Sequence, residues 1–110
     1  MRLQIDEPLP QLDDAITTCA YRIVQEALIN ALRHARASRI DVALDVEPNA
    51  LVVRVADNGL GLPADWDQPG HYGVRGMRER AAALGGTFEL DRGDEAGTRV
   101  LARLPLAALA

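Results

Sequence analysis

Glu26, Asn30 and His34 stand at intervals of four residues. On a helix that interval returns each side chain to nearly the same face, so a carboxylate, an amide oxygen and an imidazole form one stripe. Such a stripe suits a hydrated magnesium ion, which takes one or two protein oxygens and keeps its waters. It can also position an attacking group beside the ion. A solvated helix face carries the same pattern, so the stripe alone decides nothing.

A second concentration is 56-ADNGLGL-62. The apolar run 51–56 stops on a carboxylate, Asp57, with Gly59 and Gly61 close behind, although a turn needs only one glycine. A carboxylate at the end of a buried strand can accept a hydrogen bond from an exocyclic amino group, while glycines let a flat ring approach the backbone. An Asx turn leaving a strand is the ordinary alternative. The third concentration is 73-GVRGMRER-80, with Gly73 and Gly76 in the first turn of a helix and Arg75, Arg78 and Arg80 nearby. Free backbone N–H groups and the positive end of a helix dipole favour phosphate there. Gly76 costs a helix up to about 1 kcal/mol relative to alanine, which calls for close approach of something. An arginine-rich surface helix explains the charges equally well.

The elements that must hold these groups are read from periodicity. Asp13 or Asp14 can cap a helix running to about Arg36, with Ile16, Ala20, Ile23, Val24, Ala27, Leu28, Ala31, Leu32 and Ala35 on its buried face. Residues 2–5, 39–46, 51–56, 87–91 and 98–104 read as strands, the second and third joined by a turn at Glu47–Ala50. Between Asn58 and Gly73 there is no periodicity, which makes a loop of roughly 15 residues, a length that is uncommon and usually functional. A second helix covers about Val74 to Leu84 and stops at Gly85-Gly86. The fold class is therefore a two-layer α/β (α+β) sandwich in one domain, 1–110. Its mixed, mostly antiparallel sheet has about five strands and is covered on one face by helices.

Composition excludes several classes of function. At 110 residues there is room for one core. A formal charge of −4 gives no footprint for nucleic acid or an anionic membrane. All 12 basic residues are arginine, so a P-loop lysine and a lysine Schiff base are out. The single cysteine, Cys19, reads as a small buried hydrophobe on the first helix. No apolar run reaches membrane-spanning length and no signal peptide opens the chain, so the domain is expected in the cytoplasm, whether or not a parent protein is anchored in the inner membrane.

The order of the three concentrations, with Gly97-Thr98 entering a strand after them, resembles the ATP-binding domain of the GHKL superfamily. That group holds sensor histidine kinases, DNA gyrase B, MutL and heat-shock chaperones on the Bergerat ATPase fold. The stretch 21-YRIVQEALINALRHARASRI-40 looks like the N box, 57-DNGLG-61 the G1 box and 73-GVRGMRERAAALGG-86 the G2 box. Their wording is most similar to the nitrate/nitrite-sensor and DesK-like kinases. The resemblance implies ATP and Mg²⁺ as cofactors. It implies Asp57 on the adenine amino group with Thr98 beside it, Asn30 on Mg²⁺, Glu26 as the acidic residue activating the attacking group, and His34 near the phosphates. Gly59 and Gly61 would frame the base pocket, Gly73 and Gly76 the phosphate side, and residues 62–72 would form an ATP lid. Trp66 in that lid would either anchor it or touch the dimerisation helices.

The expected function is that of a protein-histidine kinase catalytic domain that donates the γ-phosphate to a histidine on a separate dimerisation domain, and through it serves a response regulator. His34 and His71 both lack the acidic residue that usually comes after an acceptor histidine, so neither fits that role and the domain is not expected to phosphorylate itself. The isolated domain is expected to be monomeric, with no nucleic-acid partner and no membrane contact of its own. A stand-alone anti-sigma-type serine kinase of the same fold, or a nucleotide-sensing interaction module without catalysis, remain as alternatives.

Overall fold

Asp13 opens the first helix by accepting a hydrogen bond from the Ile16 N–H at 2.9 Å, which satisfies a donor that has no partner within the helix. Helix α1 then runs Asp14–Ile29 and buries Ile16, Cys19, Ala20, Ile23 and Ala27 on one face. The computed structural model describes residues 2–5, 12–62, 68, 73–91 and 97–106. Most of the expected lid at 62–72, with Trp66 and His71, and most of the turn leading to Gly97 lie outside those residues.

The helix does not continue as α to Arg36. A π-helical turn takes over at Asn30–His34, with the Ala35 N–H on the Asn30 carbonyl at 2.9 Å. Arg36 comes next in the left-handed region at φ 51°, and the Ala37 N–H closes back on the Ala31 carbonyl at 2.9 Å. That reverse turn is usually given to glycine, which has no Cβ to crowd the next carbonyl. Five residues are too few for a period of 3.6 to be told from a wider one, so sequence spacing could not show the change.

The strands are β1 (Arg2–Ile5), β2 (Ile40–Glu47), β3 (Ala50–Asp57), β4 (Thr87–Asp91) and β5 (Arg99–Pro105), in the spatial order β1-β2-β3-β5-β4. β1 joins β2 in parallel and every other pairing is antiparallel, which is the mixed sheet expected. Glu47 pairs with Ala50, so the β2–β3 hairpin turns on Pro48-Asn49 alone, two residues rather than four. Helix α2 (Val74–Ala83) lays Val74, Met77 and Ala81 against the sheet alongside α1. Val42, Leu51, Val53, Val55, Val100, Ala102 and Leu104 meet them from the strands.

Among the described residues no helix covers the sheet's other face, yet Val52 there is 0% exposed. Its register partners explain it: Asp45 and Arg103 flank Val52 on the neighbouring strands. Asp45 pairs with Arg54 at 3.2 Å, and Arg103 pairs with Glu47. Val52 thus lies among these ion pairs, and arginine stems can cover apolar surface while their charged ends stay wet. Cys19 is 4% exposed; burial pushes its thiol pKa up, and Arg80 pulls it partly back, in keeping with a small structural hydrophobe. Among the described residues no helix is long and apolar enough to cross a membrane.

Arg36 should hold recoverable strain. Arg36→Gly is expected to raise stability by about 0.5 kcal/mol after the entropy of a freer unfolded glycine is subtracted, which is roughly 2–4 °C in Tm by calorimetry. An unchanged or lower Tm would show that the left-handed turn costs nothing here.

Candidate nucleotide-binding site

Two of the described polar side chains are buried, Asn30 at 7% and Thr98 at 8% exposed. Leaving a buried polar group without partners costs about 1–3 kcal/mol by mutational measures, so polar residues are buried sparingly. They lie far apart in sequence, one in the π-turn of the first helix and one at the entry to β5. Both are among the site residues expected from sequence spacing and motif order.

Asp57 ends β3, and it is held on two sides. Its backbone N–H donates to the Thr98 carbonyl at 3.0 Å, which seats Thr98 beside it. Its Oδ1 accepts the Gly59 N–H at 2.8 Å, an Asx turn that orients the carboxylate out of the strand. The ordinary turn and the recognition role are therefore compatible, because one oxygen makes the turn. The other carboxylate oxygen has no hydrogen-bond partner among the described residues.

The glycines divide into distinct groups. A Cβ on Gly59 would sit 2.5 Å from the Ala35 carbonyl oxygen and 2.6 Å from its Cβ, so this glycine lets the loop after β3 lie on the end of the first helix. Its missing side chain makes room for the protein's own backbone. Gly61 has φ 81° and faces the Gly97 carbonyl, 3.5 Å from where a Cβ would be. A Cβ on Gly97 would run into the Asp57 carbonyl. Gly97 is not among the site residues expected from sequence; a glycine directly before Thr98 is the signal that could have found it.

Gly73 caps α2 at φ 67°, and a Cβ there would strike the Glu26 carboxylate. The stripe on the first helix and the glycine start of the second thus meet. Gly76 differs from all of these: apart from its own helix, no described residue lies within 4 Å of the position a Cβ would take. No packing need accounts for a helix-weakening glycine there. Glu26 is half-buried and His34 is exposed.

These residues fit a nucleotide. An unpartnered carboxylate oxygen suits an amino group of a base, and an unfilled glycine in the first turn of α2 suits a phosphate at the positive end of that helix. No three His, Cys, Asp or Glu side chains gather into a metal cage among the described residues. A magnesium ion held by the Asn30 amide oxygen, waters and phosphates needs no such cage.

Comparison with known proteins agrees. The family model described as histidine kinase-, DNA gyrase B-, and HSP90-like ATPase matches residues 16–108. The sensor histidine kinase LiaS of Bacillus subtilis is 38% identical over 86 residues, 78% of this chain and 24% of that protein. The oxygen sensor histidine kinase NreB of Staphylococcus carnosus is 37% identical over 97 residues, 87% of this chain and 28% of that one. The chain thus spans about a quarter of the length of these relatives. Among solved structures, the histidine kinase domain of the blue-light activated histidine kinase EL346 of Erythrobacter litoralis superimposes with a TM-score of 0.78 at 31% identity, covering 96% of this chain and 50% of that one.

The glycine groups should separate in the laboratory. Gly59→Ala must push the loop off Ala35 and is expected to cost about 1–3 kcal/mol, whereas Gly76→Ala meets open space and should gain about 0.5 kcal/mol from helix propensity. Urea denaturation of both variants tests this, and a stabilised Gly59→Ala would contradict the contact with Ala35.

Proposed function

This chain belongs to the histidine kinase-, DNA gyrase B- and HSP90-like ATPase family and is an ATP-binding catalytic domain of the sensor histidine kinase type. On that premise we propose that it binds Mg·ATP in the space bounded by Asp57, Thr98, the π-turn and the start of α2, and donates the γ-phosphate to a histidine on a dimerisation domain outside this chain. A response regulator would take the phosphate next. The single observation that carries the reading is that Asn30 and Thr98, the buried polar side chains, and Asp57 with its unpartnered oxygen fall where the family resemblance puts phosphate-side and base-side contacts.

Asp57 accepts from the adenine amino group through the oxygen its Asx turn leaves over, and Thr98 supports it through the shared backbone hydrogen bond. Gly61 and Gly97 shape the base side. Asn30 offers its amide oxygen to the metal side, where a bound magnesium ion would neutralise phosphate charge. Glu26, lodged against Gly73, lies between the first helix and the start of α2; it is the acidic residue that helps activate the attacking imidazole. His34 and the N-terminal turn of α2 hold the phosphates, with Gly73 and Gly76 allowing close approach. Phosphoryl transfer is largely positioning and charge neutralisation, so arginines, backbone N–H groups and a metal suffice without lysine. The relatives are sensor histidine kinases, which favours histidine over serine as the acceptor.

Binding and transfer measurements test this. Calorimetric titration should give ATP binding that GTP does not reproduce. Asp57→Asn should weaken it on the order of tenfold to a hundredfold, the worth of one hydrogen bond to a charged group. Gly76→Ala should weaken binding while stabilising the fold, a combination that a purely structural glycine would not show. Mixed with a separate histidine-bearing dimerisation domain, the chain should transfer label from γ-labelled ATP into an acid-labile phosphoprotein; an acid-stable product would point to serine.

A further inference from the structure

Asn58 has no part in the nucleotide contacts proposed for this site, yet it makes more side-chain hydrogen bonds than either neighbour. Its Oδ1 accepts the Ser38 N–H at 3.0 Å and the Arg39 N–H at 2.8 Å. Its Nδ2 donates to the Ser38 Oγ at 2.9 Å, and its backbone N–H donates to the Arg39 carbonyl at 3.2 Å. The β2–β3 ladder ends at the pair Ile40 and Asp57, so the Asn58 side chain takes over where the backbone stops. It grips the connector that leads out of the first helix.

The other end of that connector is strained. Asn30–His34 forms a π-turn, and Arg36 sits at φ 51°. Both are sparsely populated conformations that persist only when the surroundings over-determine them. Three of the contacts that hold them are the Leu60 N–H on the Ala35 carbonyl at 2.9 Å, Gly59 against Ala35, and the Asn58 grip on Ser38 and Arg39. All three come from the segment 58–60 just after Asp57. If the grip were released, the π-turn could tighten to α, and each residue of register gained would turn the rest of the connector by about 100°. His34, in the last position of that turn, would move relative to Asp57.

We propose that Asn58 is a positioning residue for nucleotide binding: it ties the connector after the π-turn that bears Asn30 and His34 to the strand end that bears Asp57, and so sets the distance between the phosphate-side and base-side contacts. The inference rests on the proposed nucleotide site. It has a consequence that stability alone does not. A ligand spanning both sides should feel the loss of the grip, and a ligand using only the base side should not.

The test compares ATP with adenosine, which lacks phosphates, on wild-type chain and on Asn58→Leu, Asn58→Asp and Asn58→Ser. Asn58→Leu removes the acceptor; it should weaken ATP about tenfold, as expected for roughly one charge-assisted contact misplaced, while adenosine, monitored by NMR shift titration, changes less than about threefold. Asn58→Asp keeps an oxygen for the Ser38 and Arg39 N–H groups and should restore ATP affinity to within about threefold, with amide exchange at residues 38, 39 and 60 restored in parallel. If Asn58→Leu does not fold, Asn58→Ser carries the same comparison. Equal losses for ATP and adenosine, or a folded Asn58→Leu with unchanged ATP affinity, overturn the inference alone. A wild-type chain that binds no adenine nucleotide overturns the proposed function and this inference with it.

Discussion

The contact on which the site depends is the seat of the loop after β3 on the end of the first helix. The Ala35 carbonyl, an orphan acceptor at a helix C-terminus, takes the Leu60 N–H, and Gly59 lies flat against the same residue. A helix end needs partners for its last carbonyls. Here the partner is the segment that also carries Asp57, so satisfying the helix and placing the carboxylate are one event. The π-turn and the left-handed Arg36 are the local deformations that this arrangement accepts.

The sheet supplies the rigidity behind that contact. β3 lies centrally, bonded to β2 and β5 on its two sides, so the strand end bearing Asp57 is flanked by the helix connector on one side and by Gly97-Thr98 on the other. Gly97 is needed because the Asp57 backbone passes too close for any Cβ. The helix layer covers one face with aliphatic side chains. On the opposite face ion pairs run across the strands around Val52, which is fully buried. Those pairs are largely exposed and individually worth little.

The strands and helices were legible because each has a period that its environment imposes. Alternation in 39–46 and 98–104 marks strands with one face on the helices, and the threes and fours from Ile16 to Ala27 mark a helix with one face on the sheet. The strand bounds and those of the second helix came within one residue, the first helix gave way to the π-turn seven residues before its expected end, and the mixed sheet was as expected. The burial of Asn30 and Thr98 was not in any local period; the motif order singled both out, and the tertiary packing buries them. Asn58 was not legible as a clamp, since an asparagine after a strand-end aspartate reads as part of an ordinary turn.

By itself, then, the sequence determined the layers, the strand and helix identities and the absence of lysine chemistry, because these come from local periodicity and composition. Tertiary structure decided the rest. It turned the last five residues of the first helix into a π-turn, set Glu26 against Gly73, gave the space beside Gly59 to Ala35 rather than to a ligand, and left the space beside Gly76 open. Each of these depends on which backbone passes near which glycine. That proximity is set by the register of whole elements against one another, and no local spacing encodes it.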